Sequence, residues 1–478
     1  MRFNKTTHQK TLTRNLAGGE AFSESPKLEF ASILLTSFVN DQFYREAKDS
    51  VERLRQLIDS IPDKLFPAKA AVYARTKYGM RSVSHVVAAE IVNRIKGEVW
   101  VKHFVNSVVV RPDDMTEILA YYMSVFGKPV PNALKKGLAL AIGNFDEYQL
   151  SKYRGEGAGI SLIDLVNIVH PVPVAKNKEA LKKLMAGELR ATDTWESKLT
   201  KAGQDAEDED EKGELKSKAW SDLIKEHKIG YFALLRNLRN IIEQAPDVIP
   251  QAIDLLTDAN LIHKSLVLPF RYSTALEEIQ KLSGKDARSV VGAINVALDE
   301  SVSNVPKLEG RTLVALDESG SMDGRPYDIG SLFAAVLVKS NDADFIAFSN
   351  HARYRTLNPQ DSTGTLVQVI RSHRDSGGTN FHAFLQEANQ PYDRIIVLSD
   401  MQGWVNGGQP SESLTDYRRR TGADPKVYSF DLAGHGTLQF PERNVFALAG
   451  FSEKVFEVLK LLDTDRNALI SEIEKIEI

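Results

Sequence analysis

The sequence predicts a two-part fold: an α-helical array over residues 1–304 and a doubly wound α/β domain over residues 305–478. Two observations predict it. Between about residues 28 and 300, apolar residues recur at helical spacing and alternating strand patterns are nearly absent. Beyond Val305, short apolar runs of strand length alternate with helical segments, the pattern of a mostly parallel sheet.

In the first part, Gly and Pro punctuate the helices at Ile61-Pro62, Phe66-Pro67, Gly97, Arg111-Pro112, Pro129, His170-Pro171 and Pro246. Leu134, Leu138, Ile142 and Phe145 form one apolar stripe. Leu162, Leu165, Val166 and Val169 form a second, and Leu234, Leu238 and Ile241 a third. Short turns between such helices predict stacked pairs, as in α-solenoids, although no fixed-period sequence repeat is present. The run from Asp205 to Glu211 has no apolar residue larger than Ala and predicts a mobile acidic loop over about 203–214. In the second part, Thr312–Leu316, Phe345–Phe348, Arg394–Ser399 and Lys426–Leu432 read as strands. Ile329–Val338, Leu366–Ile370, Leu414–Arg420 and Phe451–Leu462 read as helices.

Composition excludes several classes. With 42% hydrophobic and 26% charged residues, the chain is an ordinary globular one. The net charge of −4 excludes a uniformly basic nucleic-acid packager. The charge is uneven: residues 1–200 carry 29 basic against 22 acidic side chains, and residues 301–478 carry 18 against 24. That asymmetry is compatible with anion binding by the first part and equally with solvated helix faces. The absence of cysteine excludes disulfides, thiolate metal sites and cysteine nucleophiles. No apolar run reaches membrane-spanning length, and no apolar leader core stands in the first thirty residues. A cytoplasmic location is expected.

The strand Thr312–Leu316 runs directly into Asp317-Glu318-Ser319-Gly320-Ser321. Asp317, Ser319 and Ser321 then stand in one turn at the carboxyl end of a strand, where open α/β sheets bind ligands. Thr379 follows in Gly377-Gly378-Thr379-Asn380, and Asp400 directly follows the strand Arg394–Ser399. Two carboxylates and three hydroxyls make a hard-oxygen donor set suited to a divalent metal, with Mg2+ the expected ion. The competing explanation is an N-capped turn. The pattern resembles the metal-ion-dependent adhesion site of the von Willebrand factor A fold. Asn380 stands where many such domains have Asp.

The helical part carries Lys152-Tyr153-Arg154, then Asp164-Leu165 leading to His170-Pro171, then Ala233-Leu234-Leu235-Arg236-Asn237-Leu238 and Pro269-Phe270-Arg271-Tyr272-Ser273. This order is similar to the TROVE module of the Ro autoantigen family, in its bacterial form. The resemblance covers nearly the whole chain, and the two modules in this order are its most specific feature. It implies a ring of HEAT-like repeats closed by an A-type domain, with RNA binding and no enzymatic activity. It further implies a small structured Y-like RNA on a basic outer face and single-stranded RNA 3′ ends in a central hole. An exoribonuclease partner, a monomeric ring and no DNA specificity complete what it implies.

The carried-over RNA candidates are Lys152, Arg154 and His170. A cationic or hydrogen-bonding His near Lys and Arg suits a phosphate backbone, and the same His in the last helical turn suits a C-cap. Lys135 and Lys136 flank the buried Leu134–Leu138 stripe, where a solvated face explains them as well as RNA does. Arg236 and Arg239 sit three apart on one helix ridge, fit for phosphate or an unpaired base, or for ion pairs between repeats. Gly155-Glu156-Gly157-Ala158-Gly159 follows no strand and is not a dinucleotide fingerprint. No phosphate loop or nucleophile elbow is present. Two functions therefore stand: an RNA-binding scaffold, and a metal-dependent adhesion module that grips a partner's carboxylate.

Overall fold

The computed structural model describes residues 12–14, 20–22, 25–36, 47–153, 159–189, 195–204, 208–401, 410–432, 445–449, 455–464 and 468–478. A short antiparallel pair, β1 (Leu12–Arg14) and β2 (Glu20–Phe22), precedes a helical array running from Pro26–Thr36 to Lys285–Ser301. Local chemistry sets the helix ends. Asp164 N–H donates to Ser161 Oγ (3.2 Å) while Ser161 N–H donates to the Asp164 carboxylate (2.9 Å), a reciprocal cap on helix Leu162–Val169. That helix stops at His170, whose left-handed backbone (φ 49°) turns its N–H onto Val166 O. Pro starts helices Pro112–Phe126 and Pro269–Ile279, where its missing N–H costs nothing.

The array has two apolar cores. The helices between Leu28 and Leu189 share the first, and those from Trp220 to Leu298 share the second. The expected loop over 203–214 is largely helix instead. Helix Trp195–Gln204 and helix Glu209–Lys225 leave only 205–207 between described residues. Asp208 caps the second helix, accepting from Glu211 N–H (2.8 Å). Carboxylates are favourable at the positive end of a helix, and Trp220, Leu223 and Ile224 anchor its other end in the second core. Acidity there marks a helix start rather than a linker.

The α/β part contains β3 (Thr312–Asp317), β4 (Asp344–Phe348), β5 (Ala352–Tyr354), β6 (Arg394–Ser399), β7 (Lys426–Asp431) and β8 (Val445–Ala449). Their order in the sheet is β5-β4-β3-β6-β7-β8, parallel except for β5 at the edge. Every residue of β3 and β6 is buried, as helices on both faces require. Helix Arg325–Asn341 lies close against β3 at Gly330, where a Cβ would stand 2.7 Å from Leu316 Cδ1.

Both ends of the array meet this domain. Helix Pro26–Thr36 packs on β8 and on the final helices Val455–Thr464 and Ala468–Glu474. Lys27 Nζ reaches Glu474 (2.7 Å) and Asp63 (3.3 Å), and Lys69 Nζ donates to Glu474 O (2.7 Å). At the other end, the Phe270 ring lies 4.7 Å from Phe333 and 6.0 Å from Phe456. Asp299 accepts from Thr363 N–H and Oγ1, both at 2.7 Å. The helices thus close on the α/β domain as a ring. Among the described residues, no helix is long and apolar enough to cross a membrane.

One buried carboxylate ties three helices of the first core. Asp114, fully buried, accepts from Arg75 (2.8 Å), Arg81 (3.1 Å), His85 (3.0 Å) and the N–H groups of Val110 and Arg111 (both 2.9 Å). Burial alone would push the His85 pKa down, but its bonds to Asp114 and Glu117 hold it above the ordinary histidine value. Burial would likewise raise the Asp114 pKa, and His85 and Arg75 instead hold it well below the carboxylate range. A group whose folded pKa is raised contributes stability at low pH, lost as pH rises through the folded value. Asp114→Ala, which leaves three buried or half-buried cations without this partner, is expected to lower the unfolding free energy in urea by about 3–5 kcal/mol. The melting temperature of the wild type is expected to fall as pH rises through the His85 pKa, and His85→Gln is expected to remove that fall.

Candidate functional site

β3 ends at Asp317 and β6 at Ser399, neighbouring strand ends that bring two loops together. Ser399 Oγ donates to Asp317 Oδ2 (2.6 Å), and Ser319 N–H donates to Asp317 Oδ1 (2.9 Å). Ser319 Oγ lies 3.2 Å from Ser321 Oγ and accepts from Thr379 Oγ1 (3.0 Å). Asp317, Ser319, Thr379 and Asp400 are all buried. Asp317, Ser319, Ser321 and Thr379 therefore form one bonded cluster. Burial pushes the Asp317 carboxyl up to about 7, and the nearby Asp400 carboxylate adds to the rise against the bonds from Ser319 and Ser399. Two buried carboxylates that feel each other, with hydroxyls as partners, fit a divalent cation of the Mg2+ type. Ser399 was not foreseen, although its place at a strand end before Asp400 was visible.

Glu318 points away from this cluster. Its buried carboxylate meets Arg353 and Arg355, both at 2.7 Å. Asn380 has a structural role. Its side chain accepts from His382 N–H (3.1 Å), capping helix Phe381–Glu387, and donates to Asn350 O (3.1 Å). An aspartate there has no hydrogen to donate to Asn350.

The second candidate is a cleft of about 850 Å³ lined by Phe232, Arg236, Arg239, Asn240, Arg271 and Glu278, and by Ser82. Ser82 opens a helix of the first core, while the other residues come from helices Tyr231–Gln244 and Pro269–Ile279 of the second. Phe232 is 39% exposed, so its ring is open to a ligand. The guanidiniums of Arg236 and Arg271 stand 5.8 and 5.6 Å from its centroid. Arg239 is paired with Glu243 on its own helix (2.9 Å) and lies 4.0 Å from Glu278 on the next. The ion-pair alternative therefore describes Arg239 and not Arg236. Phe232 and Arg271 were missed, although Phe232 precedes Arg236 by one helical turn.

The remaining basic candidates lie apart from this cleft. Lys152 is exposed at the end of helix Glu147–Lys152, with Nζ 5.6 Å from the Tyr153 ring, which Arg111 also covers at 4.4 Å. Arg154 lies outside the described residues. His170 is exposed, and its backbone is the C-cap of its helix. On helix Asn132–Ile142, Lys135 is half-buried and Lys136 exposed. That helix packs on Leu162–Val169, which ends at His170.

One contact mimics a nucleophilic triad. His263 lies 3.2 Å from Ser303 Oγ and 2.9 Å from Glu300. Ser303 Oγ donates to Glu300 O (2.6 Å), and His263 and Ser303 are exposed, Glu300 half-buried. The arrangement is a helix-end cap.

Comparison with known proteins places this geometry. The model of the TROVE domain matches residues 35–217 and 185–317, and that of the Ro60 vWA domain matches 311–462. RNA-binding protein RO60 of Deinococcus radiodurans is 25% identical over 245 residues, 46% of this chain and 46% of that protein. Telomerase protein component 1 of Rattus norvegicus is 26% identical over 118 residues, 22% of this chain and 4% of that protein. The alignments thus span less than half the length of these curated relatives. The crystal structure of the Deinococcus radiodurans Ro (RSR) protein superposes with a TM-score of 0.68 at 18% identity, covering 92% of this chain and 99% of that one, which shows a shared fold.

Asn380→Asp keeps the helix cap and sets an acceptor against Asn350 O. It is expected to lower the unfolding free energy by about 1–3 kcal/mol in chemical denaturation.

Proposed function

Because the chain belongs to the Ro family of TROVE-domain proteins, we propose that it is a non-catalytic RNA-binding scaffold of ribonucleoprotein particles. The cleft carries this reading. Three arginines beside one exposed phenylalanine, joined by Asn240, Ser82 and Thr274, suit a single-stranded nucleic acid. Guanidiniums take phosphate oxygens, and an aromatic ring stacks an unpaired base. We assign the single-stranded 3′ end of a misfolded or immature RNA to this cleft, held by Arg236, Arg271 and Phe232. Arg239 joins when phosphate displaces Glu243.

A small structured, Y-like RNA is assigned to an outer face with Lys135, Lys136, Lys152 and His170 as its contacts; Arg154, outside the described residues, is kept as a candidate from the family resemblance. His170 caps helix Leu162–Val169, which packs on helix Asn132–Ile142. RNA turnover with a recruited exoribonuclease, a cytoplasmic setting and a monomeric ring complete the proposal.

A second reading applies to the other site. Asp317, Ser319, Ser321, Thr379 and Asp400 would hold Mg2+ or a similar ion, and the convergence of their oxygens favours this reading. Such an ion, when bound, offers a Lewis-acid position for a partner's carboxylate. The chain's own part is to hold the oxygens in place. In this metal-dependent adhesion reading, a protein partner is released by chelator and by Asp317→Ala.

Anisotropy of a short labelled single-stranded RNA, titrated with KCl, tests the cleft. The wild type is expected to lose affinity steeply with salt, with a slope of roughly −0.7 per phosphate contact. The Arg236→Glu, Arg271→Glu double variant is expected to bind at least about tenfold more weakly, with a slope shallower by about 0.7 per lost contact. Unchanged binding overturns the assignment. Charge reversal at Lys152, Arg154 and His170 is expected to weaken structured-RNA binding while sparing the single strand.

A further inference from the structure

We infer that Arg374 is a positioning residue for the oxygen site, clipping its ligand-bearing loops into one preassembled unit. This rests on reading the Asp317–Asp400 cluster as a divalent-cation site. The donors come from separate segments. Asp317, Ser319 and Ser321 follow β3, whereas Thr379 follows helix Thr363–Ser372. No strand ladder pairs these two segments. Their main chains meet where Gly320 N–H donates to Gly377 O (2.9 Å).

Arg374, five residues before Thr379, spans the gap with its whole guanidinium. Nη2 donates to Ser319 O (2.7 Å) and Nε to Glu318 O (3.2 Å). Nη1 pairs with the Asp323 carboxylate, beyond Ser321 on the same loop. The guanidinium also lies over the Tyr327 ring at 4.3 Å. One side chain thus grips the carbonyls of the two successive peptides that flank the Ser319 Cα, and the far end of the loop. Ser319 is the hub of the hydroxyls, touching Ser321 and Thr379. The Glu318 side chain is held by Arg353 and Arg355, which also donate to His373 O, beside Arg374 in the chain. The loop is therefore held by three arginines, none of which is bonded to a donor oxygen of the site.

Arg is suited to this task because its planar fork makes several directed bonds at once and stays charged. Groups of this kind around a metal set ligand orientation, and their loss weakens metal binding by about 10- to 100-fold. Electrostatics alone predicts the opposite sign. A guanidinium beside a cation site repels the cation, so removing it would tighten binding. The direction of the change therefore separates positioning from simple charge.

The test is a Mn2+ titration of the full chain, read by electron paramagnetic resonance and calorimetry, for the wild type, Arg374→Ala, Arg374→Lys and Asp317→Asn. Arg374→Ala is expected to bind Mn2+ at least about tenfold more weakly, with circular dichroism unchanged. Arg374→Lys keeps the charge without the fork and is expected to recover only part of the affinity. Affinity equal to the wild type, or tighter, in Arg374→Ala overturns the inference. If Arg374→Ala does not fold, Arg374→Lys decides: weaker binding supports the clip, and equal or tighter binding overturns it. A wild type that takes up no more Mn2+ than Asp317→Asn overturns the cation reading itself.

Discussion

A stacked helical array buries each helix against its neighbours and leaves an apolar face bare at both ends. In this protein one α/β domain covers both. Helix Pro26–Thr36, at the first end, is buried by β8 and by the two C-terminal helices. At the last end, Phe270 enters an aromatic cluster with Phe333 and Phe456. Phe456 belongs to helix Val455–Thr464, which also contacts the first end. The same helix therefore serves both closures. The first core of the array is continuous with one face of the sheet, through Val314, Leu316 and the apolar side of helix Arg325–Asn341. Neither half of the chain can lose its contacts with the other without exposing that core.

Closure has a functional consequence. One cleft draws its lining from helices distant in sequence, Ser82 together with residues between 232 and 279. An open array of the same helices would present the arginines on a surface. In this fold Arg236 and Arg271 line a cleft together with the exposed Phe232 ring.

Two buried aspartates show how differently the same side chain is used. Asp114 is surrounded by Arg75, Arg81 and His85 and by two main-chain N–H groups, so its charge is matched within the fold. Asp317 is bonded by Ser319 and Ser399, with Asp400 close by, and among the described residues no arginine is paired with it. The arginines of that region instead hold Glu318 and the loop carbonyls. A carboxylate satisfied by its own chain stabilises the fold, whereas one left beside another carboxylate favours an external cation.

Much of this was legible in the sequence, for identifiable reasons. Apolar periodicity over Leu134–Phe145 and Leu162–Val169 marked the helices, because 3.6-residue spacing is set by the helix itself. The motif from Asp317 to Ser321, placed after a buried strand, located the oxygen site, because strand ends position adjacent side chains with little freedom. The helix end at His170-Pro171 was local in the same sense. The acidic run near Glu209 misled, since composition alone does not show that Trp220 anchors the helix it begins. Short β5 and β8 were missed, because edge strands of three to five residues carry little pattern of their own. What tertiary structure alone decided is which distant residues meet: Phe232 with Arg271, Lys27 with Glu474, Arg374 with the loop after β3. These pairings depend on the closure of the ring and the crossing of the sheet, which arise from long-range packing that no local spacing encodes.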